Sequence, residues 1–158
     1  MTDLSGLLDP DRVAIVGATE RPGSVGRALV ETMQAFAGDL LPMNPAYESV
    51  FDAECFPSIA AVPTPETVDL AVVSVPAAAV LDVLREIGEA GIQHVVVVSA
   101  GFGESGAEGK RREAELEAIA ERYDLSLVGP NSVGVMNVPA GLNATFVSLT
   151  PPAGSISL

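Results

Sequence analysis

The run Val13–Gly26, VAIVGATERPGSVG, constrains this chain more than any other. Val13-Ala14-Ile15-Val16 is short, apolar and largely β-branched, the pattern of a strand covered on both faces at the centre of a parallel sheet. Gly17 ends it. A loop of small and polar residues leads to Gly23-Ser24-Val25-Gly26, after which a helical pattern begins. Strand, glycine loop and helix N-terminus together suit an anionic group, because free N–H groups and the helix dipole converge there. The spacing is neither GxGxxG nor GxxxxGK[ST], and no lysine follows the glycines, which argues against a nucleoside triphosphatase loop. The glycines alone fit two roles, ligand approach or tight packing of helix on strand. The first role predicts that Gly26→Val weakens ligand binding more than it weakens the fold.

The rest of the chain alternates strands and helices. The first helix is expected over Ser24–Ala37, with Ser24 as N-cap and Gly38 as its C-terminal stop. A second strand is expected over Asp39–Met43, and Phe51–Pro57 reads as loop with room for a short strand. One helical turn is expected at Ser58–Ala61, ended by Pro63-Thr64-Pro65. Asp69–Val75 is a third strand, and Ala77–Ala90 a helix presenting Val80, Leu84 and Ile87 on one face before Gly91. His94–Ser99 is a fourth strand. Glu108–Tyr123 is a charged helix with Leu116 and Ile119 inward, and Leu125–Val128 a fifth strand. Val133–Phe146 is small, apolar and loop-rich. The pattern implies an α/β fold: a single Rossmann-like domain with a doubly wound parallel sheet and right-handed crossovers. Residues 1–150 are expected to form it, and 151–158 to be a linker and the start of another strand belonging to a following domain.

In such sheets ligands sit outside the carboxyl ends of the strands. Those ends are Gly17-Ala18-Thr19, Asn44-Pro45, Ser74-Val75-Pro76, Ala100-Gly101-Phe102 and Gly129-Pro130-Asn131. None carries an acid, a base or a metal ligand. That composition suits backbone recognition of a bulky ligand and not acid–base chemistry. A dinucleotide dehydrogenase places a carboxylate at the end of the second strand to bond the ribose. Asn44-Pro45 stands there, which disfavours pyridine dinucleotides.

The formal net charge is −13, and Lys110 is the only lysine among eight basic residues. Such a surface repels nucleic acid and anionic membranes. An acidic coat with almost no lysine is similar to proteins of salt-loving organisms, where salt screens self-repulsion. No apolar run approaches the ~20 residues of a membrane span. The acidic N-terminus has no basic leader pattern, so a cytoplasmic location is expected. A single cysteine, Cys55, rules out a disulfide framework or a thiolate metal cluster within one chain.

Several pieces, VAIVGAT…PGSVG, LLPMNPAYESV, CFPSI, VDLAVVSVPAAAV, VVVVSAGFGESG, LVGPNSVGVMN and GLNATF, resemble in order the CoA-binding domain of NDP-forming (ADP-forming) acyl-CoA synthetases, relatives of the succinyl-CoA synthetase α subunit. The resemblance implies CoA or acyl-CoA as ligand. It further implies that Gly17, Ala18, Thr19, Gly23, Ser24, Val25 and Gly26 hold phosphates, and that Asn44, Pro45, Ser74, Val75, Pro76, Ala100, Gly101 and Phe102 line the nucleotide and pantetheine. Asn131 is implied near the thiol. The phosphohistidine domain and the ATP-grasp domain or subunit are implied to lie outside this chain, so no catalytic residue is assigned here, and oligomerisation is left open. Two positions depart from the family. Ala46 replaces a lysine often found after the Asn-Pro, and Ser132 replaces a cysteine common after the Gly-Pro-Asn. The alternatives are a stand-alone or regulatory CoA-binding module, such as the sensor part of a protein acyltransferase, and an NAD-type Rossmann enzyme.

The remaining polar candidates read as structural. His94, the only histidine, opens a buried strand. Cys55 has no cationic neighbour in sequence to lower its pKa and reads as packing. Glu104, Glu108 and Glu113 read as a solvated helix face and first-turn complement to the dipole. Lys110-Arg111-Arg112 is too short and too acid-flanked for a nucleic-acid patch.

Overall fold

The computed structural model describes residues 3–152 and Gly154. In chain order the elements are α1 (Ser5–Leu8), β1 (Arg12–Val16), α2 (Val25–Met33), β2 (Asp39–Met43), β3 (Ser49–Val50), β4 (Ala53–Glu54), β5 (Leu70–Val73), α3 (Ala77–Glu89), β6 (His94–Val97), α4 (Gly106–Tyr123), β7 (Ser126–Val128), β8 (Gly134–Asn137) and β9 (Leu142–Thr145). Short 3₁₀ turns occupy Ile59–Ala61, Pro65–Thr67, Gly103–Ser105 and Val138–Ala140.

The main sheet has the order β2-β1-β5-β6-β7, with every pairing parallel. Each strand sends alternate side chains to opposite faces, as a two-residue period demands. Val13 and Ile15 of β1 face one core, with Leu70, Val72 and Val96. Ala14 faces the other, with Ala71, Val73, Val95 and Val97. β5 is buried along its whole length because both cores meet on it. The first core is covered by Leu29, Val30 and Met33 of α2 and by Leu142 and Ala144 of β9. The second is covered by Val80, Leu84 and Ile87 of α3 and by Leu116 and Ile119 of α4. Full burial of each such aliphatic side chain is worth roughly 1.5–3 kcal/mol, so the inward stripe of α3 alone holds that helix to the sheet.

Two expectations give way. Helix α2 ends at Met33, well short of Ala37, and Gly38 does not stop it. A Cβ on Gly38 would meet the Asp11 carbonyl oxygen at 2.1 Å, and Asp39 N–H donates to that oxygen at 2.8 Å. Gly38 thus serves the entry to β2. The second departure is Val133–Phe146, which is not loop. It contains an antiparallel hairpin, β8 on β9, with Gly134 opposite Thr145 and Asn137 opposite Leu142. The hairpin lies on α2, and Thr32 Oγ1 donates to the Thr145 carbonyl at 2.7 Å. A ribbon therefore fills the place beside α2 where a second helix would complete a symmetric doubly wound layer. Helix α1 is a short turn before β1 that carries too few residues to show a period in the sequence. Among 151–158, Pro151, Pro152 and Gly154 have no regular structure, and the expected strand start falls on positions outside the described residues.

Candidate functional site

The chain runs from β1 outward to β2, then crosses back to β5 on the other side of β1. That reversal leaves a crevice at the carboxyl ends of β1 and β5, where open α/β sheets take ligands. A cleft of about 930 Å³ opens there. It is in the size range of small-molecule and cofactor sites.

Its first wall is the glycine loop. Gly17, Thr19, Ser24, Val25 and Gly26 line the cleft. The Gly17 and Ala18 N–H groups do not face a ligand, because both donate to the Met43 carbonyl, at 2.8 and 3.1 Å. The donors left over lie at the start of α2. Ser24 is its N-cap, with Oγ accepting from Arg27 N–H at 3.3 Å. Among the described residues, Val25 and Gly26 N–H have no intramolecular acceptor. They are orphan donors of the kind every helix start leaves.

The glycines divide their roles. A Cβ on Gly26 would lie 2.0 Å from the Gly17 carbonyl oxygen, so this residue lets α2 press on the end of β1. Gly26 therefore has a packing role in addition to the ligand approach expected of it. Gly17 itself has φ +96°, with Ser74 backbone 2.7 Å from a Cβ position. Gly23 has open space around it and a positive φ of +75°, and it lies outside the cleft wall.

The second wall follows β2. Asn44 and Pro45 line the cleft as expected, together with Ala46 and Tyr47. Asn44 is held at both ends of its amide: Nδ2 donates to the Ala18 carbonyl at 2.9 Å, and Oδ1 accepts from Ala46 N–H at 3.0 Å. Tyr47 OH accepts from Thr19 Oγ1 at 3.2 Å, tying this loop to the glycine loop. The 3₁₀ turn at Ile59–Ala61 closes the side of the cleft, anchored by Ala60 N–H donating to Glu86 Oε1 at 3.1 Å.

The floor comes from β5 and β6. Ser74, Val75, Pro76 and Ala100 line it, with Asn131 and Phe146 at the rim. Ser99 Oγ donates to the Val75 carbonyl at 2.6 Å, and Ser74 Oγ lies 3.3 Å from the Val16 carbonyl. These hydroxyls stitch neighbouring strand ends together where the ladder stops. Ala18 and Phe102 do not reach the cleft, since both are wholly buried in the two cores. Gly101 is also outside it. Its N–H and that of Phe102 are taken by Glu104 Oε1, the latter at 3.1 Å. Glu104 is therefore more than a solvated face, and those bonds hold its carboxyl below the usual carboxylate range, the Gly101 N–H foremost.

Among the contributors not singled out from sequence are Arg21, Tyr47, Ser99 and Phe146. Arg21 sits inside the glycine run and Ser99 beside Ala100, so proximity to the motifs was their one signal. Phe146 reaches the cleft only because the β8–β9 hairpin folds back on α2.

Among the described residues that line the wall, Arg21 is the one cation and Glu86 the one acid. A chain with net charge −13 thus keeps its ligand cleft close to neutral. Among the described residues, no acid, base and nucleophile meet in it. His94 lies at the opposite end of β6, its Nε2 2.8 Å from the Asp3 carbonyl. Cys55 is buried, its Sγ 3.7 Å from the Asn44 carbonyl, and burial pushes its thiol pKa up. No group of three or more possible metal ligands occurs among the described residues.

The family described as CoA binding domain matches residues 11–138, which spans every wall except the Phe146 rim. The chain belongs to the CoA binding domain family. CoA is accordingly the ligand of this CoA-binding domain. The chain is 40% identical over 151 residues to an ADP-forming acetate–CoA ligase I of Archaeoglobus fulgidus, covering 96% of this chain and 22% of that protein. It is 39% identical over 147 residues to the α subunit of an ADP-forming acetate–CoA ligase II of Pyrococcus furiosus, covering 92% of this chain and 32% of that subunit. Among solved structures, a dinucleotide-forming acetyl-coenzyme A synthetase 1 of Ca. Korarchaeum cryptofilum, in complex with phosphate and ADP, superposes with a TM-score of 0.86 at 37% identity, covering 92% of this chain and 31% of that chain. The CoA-binding domain thus spans about a fifth to a third of the length of these relatives. No helix among the described residues is long and apolar enough to cross a membrane.

Proposed function

We propose that CoA lies along this cleft as the CoA-binding part of an ADP-forming acyl-CoA ligase. The diphosphate rests on the Val25 and Gly26 N–H groups and Ser24, where the α2 dipole favours negative charge. The nucleotide passes Asn44 and Pro45. The pantetheine crosses Ser74, Val75, Pro76 and Ala100 toward Asn131. The observation that carries this reading is the cleft itself: a near-neutral crevice at the sheet's switch point, with two unpaired N–H donors at the mouth of a helix. The relatives carry the name of the reaction, and their greater length supports a division of labour. Residues 1–150 bind CoA, 151–158 lead onward, and the ATP-grasp and phosphohistidine parts lie elsewhere in a cytoplasmic enzyme. The negative charge keeps nucleic acid and anionic membranes off this domain.

Calorimetry of this chain with CoA, NAD and ATP side by side in molar KCl tests the reading. CoA binds one to one, NAD and ATP give no saturable heat, and the chain alone forms no acyl-CoA from ATP, acid and CoA. Tighter binding of NAD than of CoA would replace the proposal with a Rossmann dehydrogenase.

A further inference from the structure

Resting on the CoA reading above, we infer that Arg21 reads the ribose 3′-phosphate and makes this domain discriminate CoA from dephospho-CoA. The first observation is electrostatic. Among the described residues, Arg21 is the only cationic one on the cleft wall. The chain has 21 acidic residues and eight basic ones, so most arginines are claimed by carboxylates: Arg12 by Asp39, Arg27 by Glu31, Arg85 by Asp82 and Glu115, Arg112 by Glu108. Arg21 has no carboxylate partner among the described residues, although it is exposed. The remaining cations, Lys110, Arg111 and Arg122, are all on α4. Of the arginines without a carboxylate partner among the described residues, Arg111 and Arg122 lie on α4 and Arg21 alone stands at the ligand cleft.

The second observation is positional. Arg21 N–H donates to Thr19 Oγ1 at 3.1 Å, and Thr19 Oγ1 in turn donates to Tyr47 OH at 3.2 Å. This pair of bonds fixes the start of the Arg21 side chain against the loop that follows β2. In doubly wound sheets the end of the second strand meets the ribose, and a nearby arginine accommodates a ribose phosphate where a carboxylate would repel it. No carboxylate stands at Asn44-Pro45-Ala46. The nearest acid in sequence, Glu20, is turned away, its Oε1 accepting from Phe51 N–H at 2.7 Å.

The two kinds of phosphate on CoA need different partners. Each phosphorus of the diphosphate carries one charge, which orphan N–H groups and a helix dipole satisfy. The 3′-phosphate is a monoester that approaches a dianion at neutral pH, and a planar guanidinium offers it two parallel N–H donors.

The test is calorimetry of the whole chain with CoA and dephospho-CoA, for wild type, Arg21→Gln and Arg21→Lys, with thermal melts to show that each variant is folded. Wild type prefers CoA by about tenfold or more, the size of one charge-assisted contact. Arg21→Gln loses that preference: CoA affinity falls to the dephospho-CoA level, while dephospho-CoA affinity changes by less than about twofold. Arg21→Lys recovers part of it. Equal losses for both ligands would place Arg21 on the diphosphate and overturn the inference, as would a Gln variant that keeps the wild-type preference. Failure of wild type to bind either ligand would instead remove the CoA reading beneath it.

Discussion

A methyl group at Gly26 is the sharpest probe of how fold and site share their atoms. In Gly26→Ala the new Cβ would lie 2.0 Å from the Gly17 carbonyl oxygen, 3.1 Å from its carbon and 3.3 Å from Thr19 Cγ2. Relief to ordinary contact near 3.4 Å requires α2 to retreat from β1 by more than an ångström along the clash. Neither partner gives easily. Gly17 is backbone, tied to Met43 at 2.8 Å, and α2 is seated by Leu29, Val30 and Met33 in the core. Overpacking of this kind costs about 1–3 kcal/mol, and steric contact with backbone falls toward the upper end. Alanine's better helix propensity returns at most about 1 kcal/mol. A net loss of about 2 kcal/mol lowers the melting temperature by about 4–8 °C in a domain of this size. Valine in its place is worse. The retreat also carries the Val25 and Gly26 N–H groups away from the cleft, so CoA affinity of the folded fraction falls with stability. Differential scanning calorimetry and a CoA titration on the same preparation read both quantities. An alanine variant that melts at or above the wild-type temperature would refute the packing role assigned to Gly26.

Three further outcomes follow from the structure. Ser24→Ala removes the α2 cap and costs about 1 kcal/mol, seen as a fall of about 2–4 °C in the melting temperature, with N–H donors at the helix start left in place. Glu104 is more acidic in the folded state because it accepts the Gly101 and Phe102 N–H groups; its contribution is present above the ordinary carboxylate range and is lost as pH falls through the lowered pKa. The melting-temperature gap between wild type and Glu104→Gln is therefore widest at neutral pH and closes in acid, and a gap that stays constant into acid contradicts the assignment. We also propose that the fold depends on salt. With a net charge of −13, melting temperatures climb in KCl beyond 0.1 M, where the Debye length is ~10 Å, toward 1 M, where it is ~3 Å; a flat profile excludes a halophilic adaptation.

Features that depend on local period and local chemistry were legible in the sequence. The apolar runs at Val13, Leu70 and His94 could only be strands covered on both faces, and all three became inner strands of the sheet. The spacing of Val80, Leu84 and Ile87 fixed the inward face of α3, and all three are fully buried. Ser24 before a helical pattern was legible as a cap for the same reason. The strand ends could be named as cleft candidates because a parallel sheet puts its ligands there whatever the side chains are. Tertiary structure decided how those candidates divide. Ala18 and Phe102 belong to strand-end motifs, yet their side chains point into the cores, because chain direction after the strand, and not membership of the motif, selects the face. Gly26 is a packing residue because a carbonyl from another element lies against its Cα, a contact with no local signature. The β8–β9 hairpin escaped a reading by period because its strands, GVMN and LNAT, mix small, polar and apolar residues without a sustained apolar run. Its pairing, and the placing of Phe146 at the rim, come from burial against α2. The same holds for Arg21: its charge is plain in the sequence, but that no carboxylate among the described residues pairs with it is a fact of three dimensions.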